Sequence, residues 1–389
     1  MYFDHNASTP MHSEVLAEMM PYLQHCYANP SSVHSQGRMA REAINYARQQ
    51  VADLVNAHPS QVIFTSGGTE ANNLAIKGCI QGMGLSRLVI GATEHPSVKD
   101  VAASFESFMQ VDTLPVDSQG TLEGIGNGEI ESLLSGQPAL VSLMMANNET
   151  GAIQNIADIA PQIKAQGHFV HTDAVQAAGK TVVDFASLDV DLLTLSAHKI
   201  YGPKGVGALI FDKKIDLGAM LHGGGQEKKY RSGTENVAAI VGFGKAAELA
   251  RQNLIENVSR LKRLREYFEQ KLGMLPGVII FSEKTARLPN TTFFGMDTST
   301  NTNGRGIDGE TLLMHLDTQG IAVTSGSACA STRLQPSHVL MAMGVGEQTA
   351  RSAIRVSFGL QNTKAEIDQL IDAIKAQIEM IPYLEIVEN

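Results

Sequence analysis

From about residue 60 the chain repeats one pattern: a short apolar run, a turn, then a stretch with helical spacing. Val62-Ile63-Phe64-Thr65 leads through Ser66-Gly67-Gly68 into a helical stretch from Thr69 to about Cys79. Arg87-Leu88-Val89-Ile90-Gly91 reads as a strand and the stretch after Pro96 as a helix. Ala139 to Ala146 is a continuous apolar run, suited to a strand buried on both faces. Ile156 to Ala165 reads as a helix, and His168 to Thr172, Leu192 to Leu195 and Val206 to Phe211 as further strands. Strands alternating with helices predict an α/β fold with a mainly parallel sheet covered on both faces.

After a long helical stretch from Ala238 to about Leu272 the rhythm changes. Val278 to Phe281, Thr291 to Phe294, Ile321 to Thr324 and Ala353 to Val356 read as strands of a smaller α/β unit. Thr363 with Glu366 three residues later predicts a capping box, and Ile367, Leu370, Ile371, Ile374 and Ile378 recur on one helical face. A length of 389 residues allows two domains. The expected division is a large domain over 13–260 and a small one formed by 1–12 with 261–389.

A formal charge of −10 argues against a nucleic acid or an anionic membrane as the main partner. No apolar run approaches the roughly 20 residues that span a bilayer. The start, Met1-Tyr2-Phe3-Asp4-His5-Asn6, has neither a basic leader nor an apolar core, so a cytoplasmic protein is expected. Cys26, Cys79 and Cys329 are too widely spaced for a disulfide framework or a Cys-x-x-Cys metal pair. With His-Glu-x-x-His also absent, no catalytic metal is expected. Gly179-Lys180-Thr181 matches only the end of a Walker loop, since Ala174 stands where its first glycine belongs. His222-Gly223-Gly224-Gly225 resembles an esterase oxyanion segment, but no Gly-x-Ser-x-Gly elbow supplies a nucleophile.

Three features carry the chemistry. Ser196-Ala197-His198-Lys199 follows an apolar run and precedes a glycine-rich turn, placing one amine at the end of a buried strand. Taken alone, Lys199 is equally a solvated lysine. Thr65-Ser66-Gly67-Gly68-Thr69 is a strand-to-helix turn, which either cradles an anion or needs its glycines only for geometry. Asp173 at a strand's carboxyl end either holds a protonated ring nitrogen or caps the turn Ala174-Val175-Gln176. A Schiff-base lysine, a carboxylate for a pyridinium nitrogen and a phosphate cradle are together what a pyridoxal-phosphate enzyme requires. Cys26 and Cys79 read as structural thiols, whereas Cys329 lies in a small-residue loop, Ser325 to Ser331, suited to a thiol that travels.

The chain resembles the cysteine desulfurases of the NifS/IscS-like class, within the class V aminotransferase group. Matching segments run in order across nearly the whole chain: Phe3 to Ala7, Asn29 to His34, Phe64 to Glu70, Asn147 to Gly151, His171 to Gln176, Ser196 to Lys199, Arg231 to Asn236 and Ser325 to Cys329. The resemblance implies a fold-type I transferase that uses pyridoxal 5'-phosphate and takes sulfur from L-cysteine, giving alanine and a persulfide on Cys329. It implies that Lys199 bonds the cofactor, Asp173 pairs with the ring nitrogen, and Gln176 and Asn148 contact the ring hydroxyl. Gly68, Thr69, Ser196 and His198 are the implied phosphate cradle, with Thr234 supplied by the partner of a homodimer. His95 is the implied ring-stacking proton carrier, and Asn148 and Arg355 are the implied holders of the substrate carboxylate. The implied recipient is a sulfur-acceptor protein such as an iron–sulfur scaffold, although the chain ends at Asn389 without the longer tail by which housekeeping members contact that scaffold. Selenocysteine lyase or another class V reaction is the alternative enzyme reading, and a sulfur carrier with a vestigial cofactor site the non-enzymatic one.

Overall fold

The computed structural model describes residues 1–122, 134–297, 308–326 and 336–387, and side chains as far as residue 379. A seven-stranded sheet is built from β1 (Val62–Thr65), β2 (Arg87–Gly91), β3 (Gln110–Leu114), β4 (Leu140–Met144), β5 (Phe169–Asp173), β6 (Leu192–Ser196) and β7 (Gly207–Phe211), in the order β1-β7-β6-β5-β4-β2-β3. From β3 to β6 every neighbour is parallel, and β7 alone runs against both strands it pairs with. The strands read from the sequence are therefore present within a residue or two of their expected ends. β3 had no sequence signal, because Gln110-Val111-Asp112-Thr113-Leu114 is an edge strand whose polar residues tolerate solvent.

Side chains alternate across the sheet as strand pleating requires. Val89, Val141, Val170, Leu193 and Ile210 face one apolar cluster with the helices Ser35–Leu54, Ile156–Ala165 and Val237–Gln252. Leu88, Ile90, Leu140, Leu192 and Leu209 face another, with the helices following β1 and β2.

The expected single helix from Ala238 to Leu272 is two, Val237–Gln252 and Leu254–Leu272. Asn253 breaks it by turning its own side-chain amide onto the Leu249 carbonyl at 3.0 Å. A second sheet follows in antiparallel order β10-β9-β8, with β8 (Val278–Ile280), β9 (Thr291–Met296) and β10 (Ile354–Ser357). The strand expected over Ile321 to Thr324 is replaced by two isolated bridges, Tyr2 with Ala322 and Thr324 with Arg355. The extreme N-terminus occupies the partner position that a strand would need. The closing helix, Lys364–Val387, carries the predicted capping box: Thr363 N donates to Glu366 Oε2 at 2.8 Å and Glu366 N to Thr363 Oγ1 at 3.3 Å. Among the described residues no helix is long and apolar enough to cross a membrane.

Phe3 seals the second core. It is fully buried, meets Phe358 edge-on at 5.8 Å, and shares a cluster with Phe268, Phe294, Ile354 and Ile367. Phe3→Ala removes a buried ring, so stability is expected to fall by about 3–5 kcal/mol. Urea unfolding at equal m-value checks this, and a midpoint unchanged from wild type would count against it.

Candidate active site

Parallel strands place their carboxyl ends on one edge of the sheet, and the functional side chains follow those ends. After β1 the chain turns through Ser66 and Gly67 into the helix Gly68–Asn73, whose first amides have no side-chain cap. The turn seats against β7 because Gly207 is bare: a Cβ there would lie 2.6 Å from the Gly67 carbonyl carbon. After β2, His95 caps the helix Pro96–Phe105, its Nδ1 accepting from Ser97 N at 3.1 Å. After β4 come Asn147 and Asn148; β5 ends on Asp173, and β6 on Ser196, immediately before His198 and Lys199.

These residues enclose a cavity of about 280 Å³. Gly68, Thr69, His95, Asn148, Asp173, Gln176, Ser196, His198, Lys199 and Arg355 all line it. A more open concavity beside it shares Gly68, Thr69, Ser196 and His198. Thr234 does not line the cavity; it is exposed on the segment before the helix Val237–Gln252. Cys329 lies outside the described residues, although Gly326, three positions earlier, lines the cavity.

Asp173 is buried, and its two oxygens accept from Val175 N at 2.9 Å and from Asn72 Nδ2 at 2.7 Å. Asn72 also reaches Ser97 Oγ at 2.8 Å, which in turn meets His95 Nδ1 at 2.8 Å. Burial lowers the pKa of His95, against the pull of Asp173, and Lys199 lowers it further. With Nδ1 accepting the Ser97 amide, the neutral ring carries its proton on Nε2. His198 is driven down to about 4 by burial and by the charges of Lys199, Lys204 and Lys180.

At the other end Arg355 is buried from β10. Its Nη2 pairs with Asp4 at 2.6 Å, and its Nη1 donates to the carbonyls of Asn148 at 2.9 Å and Gly326 at 3.0 Å. Its Nε is buried without a partner.

Asn6 joins the two sheets at the cavity. Its carbonyl accepts from Gln176 Nε2 at 2.8 Å and from Lys199 Nζ, which also reaches the Ala7 carbonyl at 2.8 Å. Its side chain donates to Thr291 Oγ1 at 2.8 Å and accepts from Asn290 at 3.0 Å. Asn6 and Asn72 were not assigned roles from the sequence. Asn72 carried a usable signal, since it stands four residues after Gly68, one turn along the same helix face. Asn6 carried none, because its partners are far along the chain.

Residues 1–370 match the family described as aminotransferase class-V. The chain belongs to the class-V aminotransferase family. A protein named cysteine desulfurase IscS from Dictyoglomus turgidum is 39% identical over 385 residues, covering 98% of this chain and 95% of that one. The crystal structure of a NifS-like protein from Rickettsia africae superposes with a TM-score of 0.87 at 37% identity, covering 98% of this chain and 99% of that one. A structure titled SspA in complex with cysteine gives a TM-score of 0.76 at 32% identity, covering 92% of this chain and 98% of that one. The fold is that of the NifS-like enzymes, fold-type I, and the family is dependent on pyridoxal 5'-phosphate.

The residues present fit that cofactor. Asp173 is a buried carboxylate that is already oriented by two donors and retains lone pairs for a protonated ring nitrogen. A Cβ on Gly68 would meet Val175 Cγ2 at 3.0 Å, a tight contact, so glycine leaves this floor open without a shift of its neighbour.

Buried histidines held neutral make the fold less stable in acid. His171 lies between Ser142 Oγ at 2.8 Å and Thr194 Oγ1 at 3.0 Å, and burial drives it down to about 4 against the opposing charge of Asp173. Unfolding restores the ordinary value near 6.5, so between these pH values the unfolded chain binds the extra proton. Stability contributed at neutral pH is therefore lost as pH falls from about 6.5 toward about 4. Urea melts at pH 7 and pH 5 are expected to show this loss, and His171→Asn to reduce the difference between them. An equal difference in wild type and variant would refute the assignment.

Proposed function

We propose that the chain is a cysteine desulfurase, converting L-cysteine and the Cys329 thiol into L-alanine and a Cys329 persulfide. The carrying observation is a single cavity that brings together Lys199, Asp173, His95, Gln176, the Gly68–His198 end and Arg355. The exchange balances without an external oxidant: the substrate C–S bond breaks, an S–S bond forms on Cys329, and the proton inventory of thiol and amino acid is conserved.

Pyridoxal phosphate supplies an electron sink that loosens bonds at the amino acid's α-carbon. In this reading Lys199 would hold the cofactor, and its amine would carry a proton at the substrate α-carbon. Asp173 holds the ring nitrogen in its protonated state, kept in place by Asn72 and the Val175 amide. Gln176 and Asn148 hold the ring oxygen, and Gly68, Thr69, Ser196 and His198 hold the phosphate. His95 covers the ring and moves a proton through Nε2, since Nδ1 is engaged by Ser97. Arg355 and Asn148 receive the substrate carboxylate; with both Nη1 hydrogens on carbonyls and one Nη2 hydrogen on Asp4, the second Nη2 hydrogen is the donor Arg355 has to spare. Cys329 attacks the substrate sulfur as a thiolate.

The same reading extends to assembly and destination. A homodimer is supported by apolar side chains left exposed around the first two helices, among them Tyr27 and Val33 at 82% and 88%, and by exposed Thr234, which would complete a partner's phosphate end. The division into units 13–260 and 1–12 with 261–389, the cytoplasmic location and delivery of sulfur to an iron–sulfur scaffold or another acceptor belong to the proposal.

Cys329→Ser is expected to lose sulfide release from cysteine by on the order of 10³-fold or more while keeping cofactor absorbance, as loss of a covalent nucleophile does. Lys199→Ala is expected to lose borohydride-fixable cofactor. Unchanged turnover in Cys329→Ser would end the persulfide mechanism.

A further inference from the structure

Lys180 is a buried lysine with no part in the mechanism above. It stands four residues after Gln176 in a helical turn behind β5, where Ala178 N bonds the Ala174 carbonyl and Thr181 N the Ala177 carbonyl, both at 3.0 Å. That spacing sends both side chains to one side. Lys180 is 6% exposed, and among the described residues it forms no salt bridge with a carboxylate. Its Nζ instead donates to Gln176 Oε1 at 2.7 Å and to Asn6 Oδ1 at 3.2 Å. Burial lowers its pKa well below the ordinary lysine value, and Lys199 and Arg355 lower it further. An amine donates hydrogen bonds in either protonation state.

The partner of Lys180 has two chemically opposite ends. Gln176 is 4% exposed and lines the active cavity. Its Nε2 gives one hydrogen to the Asn6 carbonyl at 2.8 Å and retains a second. Reversing the amide would set its carbonyl against the Asn6 carbonyl and forfeit the hydrogen bond that Lys180 donates to Oε1, in a buried site. Lys180 and the Asn6 carbonyl together decide which end of Gln176 is available, and Lys180 is the one of the two that acts through a side chain.

We propose that Lys180 is a positioning residue, fixing the Gln176 amide so that an N–H, and never its carbonyl oxygen, is offered to the anionic ring oxygen of pyridoxal phosphate. This rests on the cofactor reading above. A donor on that oxygen stabilises its deprotonated form, so losing the donor raises the pH at which the bound chromophore titrates.

The test is a pH titration of the visible absorption of cofactor-loaded protein, compared across wild type, Lys180→Met, Gln176→Ala and the double variant. Lys199, Arg355, His198 and the ring of His5 are titratable or charged groups that interact with Lys180, and a direct charge effect through them has to be separated from an effect through Gln176. Each single variant is expected to raise the midpoint by about one pH unit, a tenfold change, and the double variant no further than Gln176→Ala. Lys180→Gln keeps an N–H donor without the charge and is expected to recover at least half of the Lys180→Met shift. A wild-type midpoint in Lys180→Met overturns the proposal, as do additive shifts in the double variant or a full shift in Lys180→Gln. A wild-type protein with no Lys199-dependent visible band would instead overturn the cofactor reading, and this proposal with it. Should Lys180→Met fail to fold, Lys180→Ala, which likewise removes the donor, takes its place in every comparison, on the same criteria.

Discussion

One asparagine near the start of the chain holds the site together. Every polar atom of Asn6 is committed: its amide N–H to Ser357 Oγ, its carbonyl to Gln176 and Lys199, its side-chain oxygen to Lys180 and Asn290, and its side-chain nitrogen to Thr291 and the Asn148 carbonyl. Gln176, Lys180 and Lys199 belong to the seven-stranded side of the molecule, and Thr291 and Ser357 to the three-stranded side. A buried polar group bonded this completely gains from low dielectric, whereas the loss of any one partner exposes the rest to a desolvation cost of about 1–3 kcal/mol. One side chain and its backbone thus tie the two sheets to each other and to the Lys199 amine.

The cavity also shows how an open α/β sheet divides labour. Strand ends deliver Asp173, Ser196 and the turn after β1, which are rigid because their backbones belong to the ladder. Residues that must differ in chemistry, His95 and Asn148, follow strand ends on short segments whose own caps and turns hold them; Asn147 Oδ1 accepts from Glu149 N at 2.9 Å and Thr150 N at 3.0 Å. Arg355 comes from the other sheet and is already neutralised by Asp4. A buried guanidinium without that carboxylate would be costly, so the charge of this end of the cavity is balanced within the protein itself.

Much of this was legible from local pattern, and its limits are physical. The central strands announced themselves because a strand covered on both faces must be apolar throughout, and Asp173 and Lys199 stood out because each follows such a run. The edge strand β3 lacks that constraint and was silent. Ile321 to Thr324 has strand composition, but Tyr2 and Arg355 satisfy it one bridge at a time. Asn253 interrupts an apolar periodicity that continues on both sides of it, so the break lies in a side-chain bond rather than in the pattern. Asn6, Asn72 and Lys180 act through partners remote in sequence. A lysine four residues after a glutamine looks like an ordinary helix pair until the fold buries both.

Asn6 and its hydroxyl acceptor Ser357 are separated by 351 residues of chain. A ribosome adding about 5–20 residues per second needs on the order of 20–70 s to travel that distance. Throughout that interval the first residues have been made but their binding partners have not. The seven-stranded sheet has all its strands by Phe211, whereas the Asn6 carbonyl that Lys199 bonds belongs to a residue whose N–H waits for Ser357. The bonds around Asn6 are therefore completed late in synthesis, when β10 appears, together with Ala350 and Ala353, the last pieces of the larger core.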